Sequence, residues 1–386
     1  MTPSSRRKEC MGAFSHVVRI ILFAGFLHLV ASSAFAEESR PIVGAIRWDA
    51  WQEGGGIQTA VEKSLGPNHW HYRLPFFAKI TGHDSVVFNG NTQAVMDQEI
   101  NYAADAGINF WSFCTYDDAT GMSNGLHLYL SSPVKSRINF ALNLQGGHVV
   151  GKSRDWEAEV ARYVNYFKDP SYQKVFGDRP LVFLFGAINP NDKLQKATLM
   201  MAMIKQLRDA SLAAGLGNPY IVFQGWNANK DFNTMQDYGL DAIGAYCIWC
   251  GSKEGKPFAA LADRGRQIWE SGKATGANVV PIVGAGWDNR PRFENPVPWT
   301  EGSPLHTLPP KPAELANHLA NAIDWTTRNR ASVTPANTVL IYAWNENDEG
   351  GWLVPTLNPD GSINTERLDA IAAKLKGRSP RPETNK

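Results

Sequence analysis

The feature that most constrains the fold is a repeated alternation of short apolar segments with longer segments of helical periodicity. Eight runs rich in β-branched and aromatic residues occur at 42–47, 108–113, 138–144, 181–185, 220–224, 242–246, 279–283 and 339–343. Apolar residues recur at steps of three and four in 96–106, 156–167, 194–214, 258–272, 312–330 and 366–375. This alternation indicates a parallel sheet, because parallel neighbours need crossover connections.

Eight such units in one chain predict an α/β fold of the (β/α)₈ TIM-barrel type, a single domain spanning 37–376. An open doubly wound sheet is the alternative architecture. It is disfavoured because the glycines after the first strand, in "RWDAWQEGGG", do not have dinucleotide-binding spacing. A long loop, from about Asp49 to Asn91, follows the first strand. Loops of that length in compact domains are usually functional, so we expect it to form a wall of the site.

The N-terminal segment 1–36 has the features of a signal peptide. Basic residues precede or open an apolar run at 20–30, and Ala34-Phe35-Ala36 supplies a small-x-small cleavage site. An uncleaved membrane anchor is the alternative. We expect cleavage after Ala36 and a periplasmic or secreted protein. The polar tail 377–386, which contains two prolines, is expected to be disordered.

Charge excludes some classes of partner. The whole chain has a net charge of +1, and removing 1–36, with four basic residues and Glu9, leaves about −2. No basic stripe suits nucleic acid and no polybasic patch suits a membrane surface, so neither partner is expected once the signal is cleaved. The sequence contains no nucleotide-binding signature, so we expect no cofactor. It leaves the oligomeric state open.

Aromatic, amide and acidic residues follow the predicted strands. In a barrel of this type the active site lies at the carboxyl ends of the strands. Sugars present apolar C–H faces and rims of hydroxyl groups, which bind aromatic platforms and amide or carboxylate groups. The alternative is that several of the tryptophans only close the top of the core. The candidate sugar contacts are Trp48, Asp49, Tyr116, Gln224, Trp226, Tyr246, Trp287, Asp288, Trp344 and Asn345.

The strongest local signal is the exit of the last strand, "VLIYAWNENDEGGWLVP". Glu346 and Glu349 are three residues apart there, and Gly350 permits a tight turn. Two carboxylates held close together repel, so one keeps a proton while the other stays ionised. That division of roles is what glycosidic bond cleavage requires. The spacing alone also fits a solvated acidic turn, or a Ca²⁺ loop that uses Asp348.

Three segments resemble a known family. Asn345-Glu346-x-x-Glu349-Gly350, after an apolar strand and Trp344, resembles the signature of the WbsX-like and glycoside hydrolase family 99-like barrels. The segments "YFKDPSYQKVFGDRPLVFLFG" (166–186) and "GAGWDNRPR" (284–292) resemble the family's link into its fourth strand and its seventh-strand exit. The resemblance spans nearly the whole mature chain, and it implies a (β/α)₈ fold and action on glycans.

The resemblance also implies roles for the two acids. By position, Glu346 would be the base that engages a neighbouring sugar hydroxyl, and Glu349 the acid, in a retaining route through an anhydrosugar. Two positions depart from the pattern of many relatives. Asn347 stands where they have Trp, and Val354 stands where they have a further Glu. The departures predict a substrate pocket different from that of the mannan-cleaving members.

Cys247 and Cys250 form a C-x-x-C pair after the sixth strand. A catalytic dithiol opens a helix in a thioredoxin-like unit, and no such pattern surrounds this pair. A local disulfide or two simple thiols is the favoured interpretation. A zinc ribbon would need a second pair, and there is none.

Two further constellations are weaker. His69-x-His71 could ligate a metal, but no third ligand stands at a defined spacing, so we expect no metal site. Asp192 with Asp288 is a minor alternative acid pair, and Asp288 could instead bind substrate or orient Arg290.

The sequence thus predicts an exported, retaining glycoside hydrolase that cleaves a polysaccharide or glycan with Glu346 and Glu349. The rival from another class is a glycan-binding barrel without catalysis. Glycosyl transfer is disfavoured because an exported enzyme meets no nucleotide-sugar pool. A thiol oxidoreductase that uses Cys250 is the remaining alternative.

Overall fold

The computed structural model describes residues 40–151, 155–186 and 193–376. The predicted signal peptide, the strand-four exit residues Asn189 and Asp192, and the tail 377–386 lie outside the described residues. Within these ranges, no helix combines the length and apolarity needed to cross a bilayer.

Eight parallel strands form the sheet that the sequence predicts. They are β1 Ile42–Arg47, β2 Phe110–Cys114, β3 Asn139–Gln145, β4 Arg179–Phe185, β5 Tyr220–Gly225, β6 Ala242–Ala245, β7 Ile282–Gly284 and β8 Thr338–Tyr342. Most lie within two residues of the predicted bounds. The seventh strand starts later than predicted because Pro281 has no N–H to donate to a neighbouring strand.

The sheet closes into a barrel. Its strands follow the order β7-β8-β1-β2-β3-β4-β5-β6, with Ala45 of β1 paired to Ile341 of β8 and to Trp111 of β2. An isolated parallel bridge between Ile243 and Val279 joins the two ends, where the Val280 N–H donates to the Ile243 carbonyl at 2.9 Å. The predicted (β/α)₈ class is therefore confirmed.

Helices connect the strands on the outside of the barrel. They are α1 Gly56–Leu65, α2 Gln93–Ala106, α3 Asn124–Ser131, α4 Gly146–Gly151, α5 Trp156–Phe167, α6 Lys193–Ala213, α7 Ala228–Tyr238, α8 Phe258–Ala274, α9 Arg290–Glu294, α10 Pro312–Arg328 and α11 Glu366–Lys376. The Thr92 hydroxyl caps α2 by accepting from the Val95 N–H at 3.3 Å. The six predicted helices are present, and α1, α3, α4, α7 and α9 were not predicted.

Aromatic side chains fill both faces of the barrel strands. Inside, Phe110 stacks on Phe183 with centroids 6.2 Å apart. Outside, Trp111 packs against Trp344 at 5.0 Å, and both are fully buried. Parallel strands covered on both faces read as nearly continuous apolar runs, which is why these strands stand out in the sequence.

The long loop after β1 is ordered and anchored to the strand exits. Besides α1 it contains a hairpin of strands Ala78–Gly82 and Ser85–Phe88. The Trp51 indole N–H donates to the Asn345 carbonyl at 2.6 Å. Arg73, fully buried, donates to the Asp288 carbonyl at 2.8 Å. The loop thereby packs against the exits of β7 and β8.

Candidate active site

The exit of β8 folds back on itself as a very tight hairpin. Asn345–Glu346 pairs antiparallel with Gly351–Trp352, and a 3₁₀ turn, Asn347–Glu349, joins them. Gly350 closes the turn at φ 83°, a left-handed conformation that side chains rarely adopt. The turn places Glu346 and Glu349 around one neighbouring side chain.

That neighbour is Arg292, a buried residue of α9. Its guanidinium donates to both oxygens of Asp348, at 2.7 and 3.0 Å, and to Glu346 at 3.2 Å. It also donates to Glu349. We call Arg292 with these three acids the carboxylate cluster. A planar, five-donor cation is the side chain best suited to hold several carboxylates at once.

The two glutamates of the cluster differ in their surroundings. Burial raises the pKa of Glu346 well above its usual range, the neighbouring Glu349 raises it further, and Arg292 offsets only part of this effect. Glu349 instead accepts from both Arg292 and the Tyr342 hydroxyl. The raised pKa of Glu346 keeps a proton on that side chain.

The position of the two acids also differs. Glu346 is 4% exposed, whereas Glu349 is half-buried and lines a cleft of about 570 Å³. Neither side chain is turned into bulk water, and both contact Arg292.

Tryptophans form one side of this cleft. Trp226 and Trp249 have centroids 6.1 Å apart, and Trp249 stacks on Trp287 at 5.9 Å and 29°. We call these three residues the tryptophan wall. Trp226 and Trp249 are 45% and 64% exposed, which is unusual for so large an apolar side chain away from a binding surface.

Five of the predicted sugar contacts lie in the cleft or beside the carboxylate cluster. Trp226, Tyr246 and Trp287 line the cleft. The Trp48 indole N–H donates to the Tyr116 hydroxyl at 2.6 Å, and the Trp48 ring lies 5.4 Å from the Arg292 guanidinium.

Four others are not brought to the cleft, because their polar groups bond inside the protein. Asp49 accepts from Arg47 at 2.6 Å, and burial raises its pKa to about 6. The carbonyl of Gln224 accepts from Asn143 at 2.9 Å. Trp344 donates to Glu99 on α2 at 2.8 Å. Asn345 bonds both backbone groups of Trp48, at 2.8 and 2.9 Å. These four residues therefore do not present their polar groups to a sugar in the cleft.

Asp288, the last of the predicted contacts, sits between two arginines. It is 2% exposed and accepts from Arg290 at 2.8 Å and from Arg73. Burial alone would raise its pKa, but Arg290 and Arg73 outweigh burial and lower the pKa. Asp288 therefore orients Arg290 and anchors the first loop. Asp192, the other member of the alternative acid pair, lies outside the described residues.

The structure does not support the cysteine pair or the histidine pair as a functional site. Cys247 and Cys250 are free thiols, which is the second of the two forms expected for this pair. Burial raises the pKa of the Cys247 thiol, which opposes a nucleophilic role. His69 bonds Glu294 at 2.9 Å, while His71 bonds the Gly66 carbonyl at 2.7 Å, so the two do not converge. Over residues 40–151, 155–186 and 193–376, no three His, Cys, Asp or Glu side chains form a metal-binding group.

Two residues of this region were missed when the strand ends were read from the sequence. Trp299 lies further along the exit loop of β7, and Arg292 lies in the short helix α9. The sequence signal for Arg292 was its place in "GWDNRPR", which contributed only to the family resemblance.

Comparison with known proteins bears on the fold. No protein-family model matches the sequence, and no curated protein matches it. A solved structure of a GH99 endo-α-mannosidase from Bacteroides thetaiotaomicron, in complex with Bis-Tris-propane, is similar with a TM-score of 0.54. It has 12% identity, over 87% of this chain and 96% of that chain. A second structure of a GH99 endo-α-mannosidase from that organism gives a TM-score of 0.53, with the same identity and coverage. At this identity the likeness shows a shared fold, so the chain has a GH99-like (β/α)₈ barrel.

Proposed function

We propose that the protein is a glycoside hydrolase that cleaves a polysaccharide or glycan, with Glu346 and Glu349 as its working carboxylates. One observation carries the proposal. A buried carboxyl group with a raised pKa, that of Glu346, and a carboxyl group that lines the cleft, that of Glu349, share one guanidinium beside a cleft walled by tryptophans. Cleavage of a glycosidic bond needs a proton donor and an ionised partner, and sugar rings need aromatic platforms.

The proposed roles are Glu349 as acid and Glu346 as base, in a retaining reaction. Glu349 is the carboxyl that lines the cleft, so it can meet the glycosidic oxygen. The raised pKa of Glu346, caused mainly by burial, favours its protonated form. The proposed roles therefore require the proton to pass to Glu349 when the sugar separates Glu349 from Arg292. Glu346 is then ionised and can accept a proton from the neighbouring sugar hydroxyl.

Substitution of each glutamate tests the proposal. Glu349→Gln and Glu346→Gln should each lower kcat by about 10²–10⁴-fold, measured on the glycan that the wild type cleaves fastest in a broad panel. Asp348→Asn is the matched control, because Asp348 shares the turn and the Arg292 contact but has no proposed chemical role. It should lose far less activity.

Aryl glycosides test the division of roles. A good leaving group needs no proton donor, so Glu349→Gln should recover most activity on such substrates, while Glu346→Gln should not. The reverse pattern would assign the acid to Glu346. The anomer first formed, followed by NMR, should match that of the substrate if the reaction is retaining.

A glycan-binding barrel without catalysis is the second candidate. It is favoured by Arg292, which donates to both glutamates, so that a sugar must compete with it. Binding of several glycans with cleavage of none, by the wild-type protein, would establish this alternative.

Export is part of the proposal. The segment 1–36 has the features of a signal peptide, so the mature protein should begin at Glu37 and be found in the periplasm or medium. N-terminal sequencing of the exported protein checks this, and an unprocessed N-terminus would contradict it.

A further inference from the structure

A second cavity borders the carboxylate cluster, separate from the cleft with the tryptophan wall. Its volume is about 600 Å³, and it is lined by Arg292, Phe293 and residues 296–302. Thr300 and Glu301 line both cavities, so this segment stands between them. The first cavity reaches the cluster at Glu349, and the second reaches it at Arg292.

The segment that separates the cavities is folded into a defined turn. Val297 and Thr300 form an isolated antiparallel bridge, which places Pro298 and Trp299 at the tip. Proline fixes its own φ near −65° and so stiffens the turn. The conformation of the tip is therefore determined by the backbone of the turn itself.

Gly302 ties this turn to α9. A Cβ at this position would lie 1.9 Å from the backbone nitrogen of Phe293, which is closer than any side chain tolerates. The neighbouring Ser303 N–H donates to the Asn289 side-chain oxygen at 3.2 Å. Two attachments thus hold the turn against the helix that supplies Arg292.

Trp299 presents its ring beside the cluster. Its centroid lies 5.5 Å from that of Trp48 and 5.8 Å from the Arg292 guanidinium. The residue is still 38% exposed, and Phe293 on the same cavity is 53% exposed. An aromatic face fixed at one edge by packing and open at the other is a surface on which the C–H face of a sugar ring stacks.

We propose that Trp299 is a second stacking platform, which binds a further sugar ring of the same glycan in the second cavity. The proposal rests on the proposed function, because it takes the ligand to be a carbohydrate. It adds that the chain holds its ligand in both cavities that border the carboxylate cluster. Affinity should then depend on ligand length, since only a glycan long enough to enter both cavities contacts Trp299.

The rival explanation is that Trp299 only covers Trp48 and Arg292. Its loss would then lower stability without changing how affinity depends on ligand length. The two explanations are separated by a size series of oligosaccharides rather than by activity.

The experiment uses the mature chain carrying Glu349→Gln, so that ligands are not consumed. Oligosaccharides of two to eight units from α-mannan, β-glucan, chitin and pectin are titrated by calorimetry, and the series bound most tightly is kept. Adding Trp299→Ala should weaken binding of the longest ligands about five- to tenfold and leave the shortest unchanged. Trp299→Phe, which keeps an aromatic face, should restore most of the loss.

Two further variants make the result specific. Gly302→Ala keeps the indole but displaces the turn, so it should reproduce the loss on long ligands. Leu212→Ala on α6, which removes a side chain that is 53% exposed, should change nothing.

The possible failures are distinguishable. If Trp249→Ala weakens binding while Trp299→Ala leaves every length unaffected, this inference is overturned and the proposed function stands. If the parent binds no oligosaccharide and the wild type cleaves none, the proposed function fails, and the inference fails with it.

Discussion

Two charged clusters meet at the segment after β7, which supplies Arg292 to one and Asp288 and Arg290 to the other, and their charge imbalances are opposite. In the carboxylate cluster one guanidinium, that of Arg292, serves three acids. In the neighbouring Asp288 cluster, one acid serves the guanidinium groups of Arg73 and Arg290. Both clusters are largely removed from water, so neither imbalance is screened as it would be at the surface.

The imbalance decides the protonation of each cluster. Burial and the surplus of acids raise the pKa of Glu346, so a proton is retained. Around Asp288 the two arginines outweigh burial and lower the pKa, so the group stays an anion. A cluster that retains a proton suits proton transfer, whereas a permanent anion between two cations suits the anchoring of a loop. Substitutions that reverse each imbalance test this distinction.

Replacing the cation of the acid-rich cluster should have the largest effect. Arg292→Met removes the guanidinium that serves all three acids and should lower the free energy of unfolding by about 4 kcal/mol at pH 8. The loss should shrink at pH 5, because the orphaned acids then take up protons. Urea unfolding at both pH values measures it. A loss that grows toward acid pH would contradict the assignment of charge.

Replacing the anion of the cation-rich cluster should have the next largest effect. Asp288→Asn leaves the fully buried Arg73 without a counter-charge and should cost about 2–3 kcal/mol of unfolding free energy at neutral pH. An aspartate whose pKa is lower in the folded than in the unfolded protein stabilises the fold at pH values above its unfolded pKa. That stabilisation is lost as the pH falls towards the folded pKa. The cost should therefore decrease below the ordinary aspartate pKa of 3.8. An unfolding series from pH 7 down to pH 3 checks this, and a cost independent of pH would refute it.

Replacing the protonated acid should act in the opposite direction. A raised pKa penalises the folded state as pH rises above the unfolded value of 4.5, so Glu346→Gln should remove that penalty. We expect the variant to gain about 1 kcal/mol over the wild type at pH 8 and almost nothing at pH 4. Thermal unfolding at the two pH values measures the gain. A variant less stable than the wild type at pH 8 would show that Glu346 is ionised there.

The smallest effect is expected at the partly exposed arginine. Arg290→Gln leaves Asp288 bonded to Arg73, and the side chain of Arg290 is 31% exposed, so the loss should be about 0.5 kcal/mol or less. Urea unfolding alongside Arg292→Met provides the matched comparison. Equal losses in the two variants would show that charge imbalance does not distinguish the clusters.

Selecting the residues that follow each predicted strand identified core residues as well as site residues, and the reason is geometric. β8 ends at Tyr342, so the side chains of the exit residues after it do not keep the regular alternation between two faces of the sheet. After β8, Trp344 packs against Trp111 and bonds Glu99 on the outer helix α2, while Glu346 lies at the mouth of the barrel. Both residues follow the same strand in the sequence, so both were predicted to belong to the site. Only the direction of each side chain separates a core residue from a candidate site residue.

The sequence by itself determined the barrel and the place of the glutamate pair. Both follow from local information: the periodicity of apolar residues, and a short motif at one strand exit. The tertiary structure alone decided that Arg292 joins the pair, that Arg73 reaches Asp288, and that Trp299 stands beside the cluster. Those facts depend on contacts between chain segments distant in sequence, and a guanidinium's partners are fixed by packing and burial, which no local pattern encodes.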